Sequence, residues 1–494
     1  MLKKALLYCG VATAGLIGVL VVRTLVLGKG PEVAAVELPR APSFSAEEVA
    51  RHLGEAIRFR TITTNAGDPQ PGQEQPWLDL HSWLEARYPK MHAATTMDTV
   101  DGYSRLYRWQ GSDSEQLPIM LMAHQDVVPV NPGTESDWAA PPFAGEIIDG
   151  YVYGRGALDN KSNMVAIAEA VEALLHEGFE PRRTVYILFG HDEEIVYDTG
   201  AEFAFDLLRE RGVRLALVLD EGSGVIKPSP MGGPAMGGIN VAEKGWISLQ
   251  LTATAEGGHS SAPPRNSATV RLARAVAALD DNQMPADLEV APLPDTLATL
   301  AADMPFAQRL VMSNLWLFSG VVEMLFSSDR GMNATIRTTT APTMLEGSAK
   351  ENVLAQRATA VVNFRIHPSN TSADVIAHVQ AITGEIGGIE VETIGEIYEP
   401  TPVSSTDYLG YRVLHSIATE LADGGPVAPM LQVGATDSRH AFGVADNVYR
   451  FTPSIGSMDD FSGVHGTNER ISVANMGSMP ARYAQIILAM DDSD

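Results

Sequence analysis

Four short stretches in the first half of the chain place histidine and acidic residues where apolar runs end. They read LMAHQDVVPV, GRGALDNKSN, LFGHDEEI and LVLDEGSG, and they lie between positions 121 and 224. A neutral imidazole with several carboxylates is a ligand set typical of zinc, manganese or cobalt, and it offers too few oxygens for a calcium site. Thiolates are excluded, because the only cysteine is Cys9. The pattern predicts a metal site with these candidate residues: His124, Asp126, Asp159, Glu193, Glu194 and Asp220.

The spacing within these stretches indicates different roles for neighbouring residues. On a strand, His124 and Asp126 would share a face, so the Asp126 carboxylate can hold the second N–H of the imidazole. Glu193 and Glu194 are adjacent and diverge at a strand end, so one can bind metal while the other acts as general base toward a metal-bound water. Asp159 begins an amphipathic helical stretch, where the field of the helix N-terminus favours a carboxylate that bridges two cations.

Each of these residues also has a structural interpretation when it is taken alone. A single histidine at a strand end is more often a buried structural residue than a ligand, and an Asp-Glu-Glu run is usually a solvated turn. Asp159 is also well placed to cap a helix. The metal site is favoured because all four stretches occur in the same context, at the ends of apolar segments.

The candidate residues are positioned by apolar segments that have the length of buried strands. PIMLMA, TVYILFG and LALVL are short and are followed by polar residues or glycine, as in strands that are covered on both faces. In an open α/β sheet, the edge at which such strands end is where ligands bind. We therefore predict an α/β fold with a doubly wound, mostly parallel sheet.

A second pattern begins near position 241. KGWISLQLTATA alternates as a half-exposed antiparallel strand does, and helical stretches separate it from later strands. We predict an α+β lid domain at 241–398, inserted into a catalytic domain formed by 44–240 and 399–494. The apolar stretch at 297–328 is expected to form two helices, either as lid core or as an apolar wall for a substrate tail or a membrane-facing patch.

The N-terminal segment 1–30 contains 18 uncharged residues, from Ala5 to Val22. This run is long for the core of a signal peptide and just long enough for a helix that spans a bilayer. Because no clear small-residue cleavage site follows, we expect an uncleaved membrane anchor, a linker at 31–43 and a catalytic part outside the cytoplasm. Cleavage of the segment would instead give a secreted protein.

The charge of the chain excludes some classes of partner. Acidic residues outnumber basic residues by 61 to 35, which gives a formal net charge of −26. This excess disfavours binding to nucleic-acid phosphates or to an anionic membrane surface. We therefore expect no nucleic-acid partner.

The order of the motifs carries a family resemblance. The succession HQDVVPV, GRGALDNK, HDEEI, DEGSG, GGHSSAP and GVHGTNE resembles the dinuclear-zinc aminoacylase and carboxypeptidase family, most closely its carboxypeptidase S and N-acyl-amino-acid hydrolase branch. The match extends from about Phe44 to the C-terminus. The roles that the resemblance implies are one zinc bound by His124 and Asp220, the other by Glu194 and His465, both by Asp159, with Asp126 orienting His124 and Glu193 as the base.

Residues outside the four stretches are further candidates. His465 lies in a polar loop between glycines, a poor place for a core histidine. His259 follows two glycines in a flexible loop, from which a donor could reach a developing oxyanion, and Arg439 offers a planar fork for a carboxylate. The resemblance implies that Asn352 and Arg365 hold the substrate's carboxylate. For each arginine the alternative is a surface salt bridge, and for His259 a structural role.

These features predict metal-assisted hydrolysis of an amide or peptide bond next to a free carboxylate, by a carboxypeptidase or N-acyl-amino-acid amidohydrolase with Glu193 as general base. The resemblance implies two zinc ions per chain, with cobalt or manganese as substitutes. It also implies a lid histidine that serves its own chain or reaches the neighbour's site in a homodimer formed through the lid. A dipeptidase with the same metal chemistry and an inactive binding protein on this fold are the alternatives.

Overall fold

The computed structural model describes residues 2–27, 31–195, 199–230, 233–302 and 304–491. Met1 and 28–30 of the predicted N-terminal segment lie outside these ranges. The strands are, in chain order, β1 (Thr95–Val100), β2 (Ser104–Trp109), β3 (Ile119–His124), β4 (Glu146–Ile148), β5 (Tyr151–Tyr153), β6 (Val185–Gly190), β7 (Leu217–Ile226), β8 (Met236–Glu243), β9 (Gly245–Thr254), β10 (Gly258–His259), β11 (Thr339–Glu346), β12 (Val353–Leu354), β13 (Arg357–Ile366), β14 (Ile389–Tyr398), β15 (Val427–Gln432), β16 (Val448–Gly456) and β17 (Arg470–Ser472).

Helix α1 forms the N-terminal segment, and further helices pack on the sheets. They are α1 (Leu2–Leu27), α2 (Ala46–Ile57), α3 (Gln75–Arg87), α4 (Pro89–Ala94), α5 (Lys161–His176), α6 (Gly200–Glu210), α7 (Ala268–Asp281), α8 (Leu293–Ala301), α9 (Phe306–Met312), α10 (Leu315–Ser327), α11 (Arg330–Ile336), α12 (Ser372–Ile386), α13 (Leu409–Leu421), α14 (Met458–Phe461) and α15 (Val473–Asp491). Short 3₁₀ helices cover Glu135–Asp137 and Asp437–Ala441.

The largest sheet has eight strands in the order β1-β2-β6-β3-β7-β16-β8-β15. Its central strands β6, β3, β7 and β16 are parallel to one another, and β1 and β2 add an antiparallel edge. Every residue of β3 and β6 is buried, as expected for strands with helices on both faces. The predicted α/β fold with a mostly parallel sheet is confirmed.

Helices close both faces of this sheet. On one face, α2, α5, α13 and α15 form a single core with the strands, in which Leu53, Val165 and Leu414 are fully buried. On the other face, α6 packs through Phe205 against a second core that contains Leu188. Because the two faces are closed, the carboxyl edge of the sheet is left for a site.

A second sheet is formed by a segment of the chain that lies between β8 and β15 of the first sheet. Its strands are antiparallel in the order β11-β13-β9-β14, and α7 and α12 pack on it around Ile247, Leu272 and Val375. The burial of β13 alternates residue by residue, so one face is covered and the other is not. The chain changes sheet between Glu243 and Gly245, beside the predicted lid boundary at 241.

The N-terminal helix α1 and the hairpin of α9 and α10 form an apolar region outside the two sheets. Among the described residues, α1 is the one single helix that is long and apolar enough to cross a membrane. Taken together, α9 and α10 also have the required length and hydropathy, but they are bent by 105° relative to each other. Residues 6–19 of α1 are exposed, whereas Leu20 and Thr24 are buried against the lid. A satellite core with Val322 and Phe326 holds α10 to the rest of the lid.

Candidate metal centre

The ends of three neighbouring strands and the start of one helix bring the candidate residues together. His124 is the last residue of β3, Glu193 and Glu194 follow β6, and Glu221 lies within β7. Asp159 lies just before α5, which packs on β3. Since β6, β3 and β7 are parallel neighbours, these side chains meet at one edge of the sheet.

The first group of side chains that could hold a metal ion, which we call the inner position, consists of His124, Asp159 and Glu221. The Nε2 atom of His124 lies 2.9 Å from Oδ1 of Asp159 and 3.4 Å from Oε1 of Glu221. One donor atom from each residue falls within 4.8 Å of the others, which is close enough to hold one cation. An imidazole with two carboxylates is chemistry that suits zinc.

The second group, the outer position, consists of Asp159, Glu194 and His465. The Nε2 atom of His465 lies 3.1 Å from Oδ2 of Asp159 and 2.9 Å from Oε2 of Glu194. In the part of the chain that the structure describes, Oε1 of Glu194 is buried without a hydrogen-bond partner, which fits an atom that binds a cation. Because Asp159 turns one oxygen to each position, the geometry fits the predicted bridging role.

The structure corrects one predicted ligand, because Glu221 rather than Asp220 faces the centre. The Oδ2 atom of Asp220 accepts the backbone N–H of Ser438 at 2.9 Å, on the other side of β7. Neighbouring residues of a strand face opposite sides. Leu219 packs in the larger core, on the same face of β7 as Glu221. Val218 packs in the core on the opposite face, which is the face of Asp220. The apolar run alone did not reveal which of the two acids belongs to which face.

Asp126 is fully buried and holds the inner position from behind. One of its carboxylate oxygens lies 3.3 Å from Nδ1 of His124. The other accepts the hydroxyl of Thr63 at 2.6 Å and the backbone N–H of Glu194 at 3.1 Å. These contacts fix the ring of His124 and the turn that carries the glutamates, in keeping with the predicted orienting role.

Glu193 projects into the cavity beside the centre without belonging to either group. Its Oε2 lies 4.0 Å from Nε2 of His124, and its side chain is largely buried. Burial raises the pKa of Glu193 well above its usual value, so the carboxyl holds a proton readily. A group that takes a proton from water and later releases it needs this property.

When no cation is bound, burial and the mutual repulsion of the carboxylates raise the pKa values of residues in the centre. Burial, followed by the nearby Asp159 carboxylate, raises the pKa of Glu221 to about 8 and that of Glu194 to about 7. Burial disfavours a charged His124, but Glu221 holds the pKa of this imidazole well above its usual value. Hydrogen bonds to Asp159 and Glu194 raise the pKa of His465 to about 10. A cation must displace these protons to bind.

A buried ion pair, missed in the sequence, positions the loop of Asp159. Glu469 accepts the backbone N–H groups of Leu158 at 2.8 Å and of Asp159 at 3.0 Å, and it pairs with Arg155 at 2.6 Å. Both charged side chains are buried. The available signal was that Arg155 and Glu469 lie four residues from Asp159 and His465, with opposite charges in two motifs already expected to meet.

The wall of the cavity next to the centre is formed by both sheets. The cavity has a volume of about 260 Å³. Arg365 stacks on the ring of Trp246 at 4.0 Å, and Arg439 stacks on Tyr398 at 5.0 Å. The remaining lining residues include Glu193, Glu194, Glu243, Lys244, Glu399 and His465. The two predicted carboxylate-binding arginines therefore lie in the same wall as the predicted base.

The other two predicted substrate residues lie elsewhere on the lid. His259 is on β10, which pairs with β12, and the backbone carbonyl of Asn352 accepts the N–H of Ser260 next to it. His259 is exposed, and its Nδ1 lies 2.8 Å from the hydroxyl of Ser261. Neither residue lines the cavity of its own chain. We call this exposed pair of strands the lid ribbon.

Comparison with known proteins identifies the family of the chain. The sequence profile described as "Peptidase family M20/M25/M40" matches residues 120–489. The chain is 37% identical over 451 residues to an N-fatty-acyl-amino acid synthase/hydrolase, PM20D1, of Xenopus tropicalis, a match that covers 90% of this chain and 87% of that protein. It is 34% identical over 482 residues to a probable carboxypeptidase S-like 2 of Dictyostelium discoideum, with 96% and 92% covered.

A solved structure extends the comparison to the fold. The metallo-carboxypeptidase Sso-CP2 of Sulfolobus solfataricus superposes with a TM-score of 0.65 at 19% identity, covering 90% of this chain and 99% of that one. The resemblance to the carboxypeptidase S and N-acyl-amino-acid hydrolase branch is confirmed by the sequence matches.

Proposed function

Since the chain belongs to peptidase family M20/M25/M40, we propose that it hydrolyses the amide bond between an acyl group and the amino group of a free amino acid. It is a metal-dependent hydrolase of amide or peptide bonds, as its family and relatives are. The observation that supports the finer proposal is the position of Arg365 and Arg439, which stand in the cavity wall beside Glu193.

The donor set suits two zinc ions, with cobalt or manganese as substitutes. His124, Asp159 and Glu221 would hold one ion in the inner position, and Asp159, Glu194 and His465 the other in the outer position. Bound cations would supply Lewis-acid chemistry, which polarises a carbonyl and makes water more acidic.

Glu193 is the proposed general base. Its carboxylate takes a proton from the attacking water as the water oxygen bonds to the carbonyl carbon. The same carboxyl then gives the proton to the nitrogen as the carbon–nitrogen bond breaks, so that a free amine and a free acid leave. The position of Glu193 in the cavity wall, 4.0 Å from His124, supports this assignment.

Arg365 and Arg439 are the proposed binding groups for the carboxylate of the substrate. Two carboxylates of the same wall have partners in the protein: Glu243 pairs with Arg450 at 2.7 Å, and Glu399 accepts the backbone N–H of Ser372 at 3.1 Å. Arg365 and Arg439 place two guanidinium groups in this wall, which suits the substrate's carboxylate better than the ammonium group of a dipeptide. This balance favours N-acyl-amino acids over dipeptides.

The lid ribbon would complete the site from outside the chain. His259 and Asn352 are exposed, so their predicted contact with substrate requires a second chain that presents its ribbon, or closure of the lid. We favour a homodimer through the lid. Sedimentation of the detergent-solubilised protein should give a dimer mass, and a monomer at micromolar concentration would leave lid closure as the explanation.

The proposed location is a membrane, with α1 as an uncleaved anchor and the catalytic part outside the cytoplasm. The run of exposed apolar residues on α1 supports an anchor. A mature protein of full mass, measured by mass spectrometry from membranes, is the expected result. Loss of the N-terminal segment would instead indicate a secreted enzyme.

The test of the reaction is a panel of substrates with zinc-loaded, full-length protein. N-acyl-amino acids of graded chain length should be cleaved faster than simple dipeptides. Amidation of the substrate carboxylate should lower kcat/KM by about 10- to 100-fold, the value of a lost charged hydrogen bond. Equal rates for acid and amide would contradict the arginine assignment, faster dipeptide cleavage would indicate a dipeptidase, and binding without turnover would indicate an inactive binding protein.

A further inference from the structure

One face of α10 is apolar and exposed along its whole length. Trp316, Leu317, Val321, Met324 and Leu325 are all exposed, and their spacing places them on one side of the helix. The opposite side packs into the lid through residues that are buried. A continuous apolar face of this kind on a protein surface marks an interaction site rather than ordinary surface.

The hairpin of α9 and α10 is joined to the N-terminal helix at its elbow. The side-chain amide of Asn314, between the two helices, donates to the carbonyl oxygen of Leu20 at 3.3 Å and to the hydroxyl of Thr24 at 3.2 Å. All three residues are buried at this contact. The carboxyl end of α1 is therefore fixed to the lid, while residues 6–19 extend away from it.

The apolar face begins where α1 meets the hairpin. The indole N–H of Trp316 donates to the side-chain oxygen of Asn314 at 3.4 Å. Arg23 of α1 and Trp316 line one groove together with Glu289 and Asp295 of the lid. Tryptophan next to charged residues at the end of an apolar helix is typical of the interface between hydrocarbon and water.

We propose that α10 lies in the surface of the same bilayer that α1 crosses, so that the lid is a second membrane contact of the protein. The inference rests on the proposed anchoring by α1 and adds the orientation of the lid. Lipid is the occupant that fits, because the face is continuous with a membrane-spanning helix and the one charged residue of α10, Glu323, pairs with Arg337 of the lid. The acidic chain suits a zwitterionic bilayer rather than an anionic one.

The same residues connect the apolar face to the cavity. Arg337 pairs with Glu323 through its guanidinium and accepts a hydrogen bond from Nζ of Lys244 at 2.9 Å through its carbonyl oxygen. Lys244 lines the cavity beside the proposed carboxylate-binding arginines. The apolar face and the cavity wall are therefore joined through two side chains of the lid, those of Arg337 and Lys244.

The test uses an environment-sensitive fluorophore on single cysteines of the full-length protein in phosphatidylcholine nanodiscs. The native Cys9 lies in α1 and reports on the anchor. In a Cys9→Ser background, Met324→Cys reports on α10. Met344→Cys is the matched control, because both methionines belong to the lid and their exposed fractions are similar, 65% and 56%. Quenching by doxyl-labelled lipid is compared with quenching by iodide in water.

The expected result is that labels at Cys9 and Met324→Cys lose fluorescence in doxyl lipid and resist iodide, whereas the label at Met344→Cys does the reverse. A lipid-shielded Cys9 with an iodide-accessible Met324→Cys would overturn the lid contact and leave the anchor intact. An iodide-accessible Cys9 would overturn the anchor and the inference together. A Met324→Cys label that both quenchers miss would indicate that a second copy covers the face, which would also overturn the inference.

Discussion

The inner and outer positions share one aspartate and differ in their access to water. The side chain of His124 is 2% exposed, whereas that of His465 is 52% exposed. Asp126 holds the ring of His124 from behind, and His465 lies in a loop with a positive φ of 58°. The difference predicts that a cation in the inner position would exchange slowly, whereas one in the outer position would exchange more readily with solvent.

The most severe way to break this comparison is to remove the shared residue. Asp159→Asn should lose both cations, because one carboxylate oxygen serves each position. Turnover should fall by more than about 10⁴-fold, beyond the loss expected from a missing base alone. Metal analysis by mass spectrometry after gel filtration provides the measurement. Two ions still bound per chain would show that the positions do not depend on the bridge.

Removing the base should leave both positions filled. Glu193→Gln keeps the shape of the side chain and belongs to neither group, so metal content should match that of the unmodified protein. The value of kcat should fall by about 10²- to 10⁴-fold, the typical contribution of a general base. Unchanged turnover, measured with a saturating N-acyl-amino acid, would refute the assignment.

A pair of neighbouring variants separates the two positions. Glu221→Gln should empty the inner position and retain the outer cation, and activity should fall by more than the roughly 10- to 100-fold that is typical when a residue supporting a ligand is lost. Asp220→Asn is the matched control, because Asp220 contacts Ser438 on the far side of β7 and should leave both cations in place. Metal loss in the Asp220→Asn variant alone would show that Asp220, and not Glu221, is the ligand.

The mildest test is the pH dependence of metal binding. When the centre holds no cation, Glu221, with a pKa of about 8, is mostly protonated at pH 7, and Glu194, with a pKa of about 7, is partly protonated. Because only the deprotonated carboxylates bind, apparent affinity should rise as pH increases from 6 to 8, by about tenfold per pH unit for each proton released. Calorimetry in buffers of different ionisation enthalpy counts these protons. Binding without proton release would contradict the raised pKa values.

Much of the centre was predictable because its residues follow recognisable segments. Strand length and burial located His124, Glu193 and Glu194 at one sheet edge, and the glycines around His465 marked a loop rather than core. The choice between Asp220 and Glu221 depended on which face of β7 each residue occupies, and both sides of that strand are covered by helices. An apolar run buried on both faces carries no alternation from which to read the face.

The lid was predicted in outline only. The alternation of KGWISLQLTATA predicted an antiparallel strand, this stretch forms the antiparallel β9, and we propose 241–398 as the lid. His259 and Asn352 lie on an exposed ribbon because β10 pairs with β12 from a distant part of the same chain, which no local pattern encodes. The ion pair of Arg155 and Glu469 joins positions more than 300 residues apart, so only the folded chain reveals it.

The hold of Glu469 on the loop of Asp159 also sets a time order for biosynthesis. Asp159 and His124 leave the ribosome long before His465 and Glu469, which follow them in the chain. A growing polypeptide therefore lacks both the second histidine ligand and the carboxylate that fixes the bridging loop. A pair of cations would be captured only after residue 469 has emerged, so a chain stalled before residue 465 is expected to be inactive.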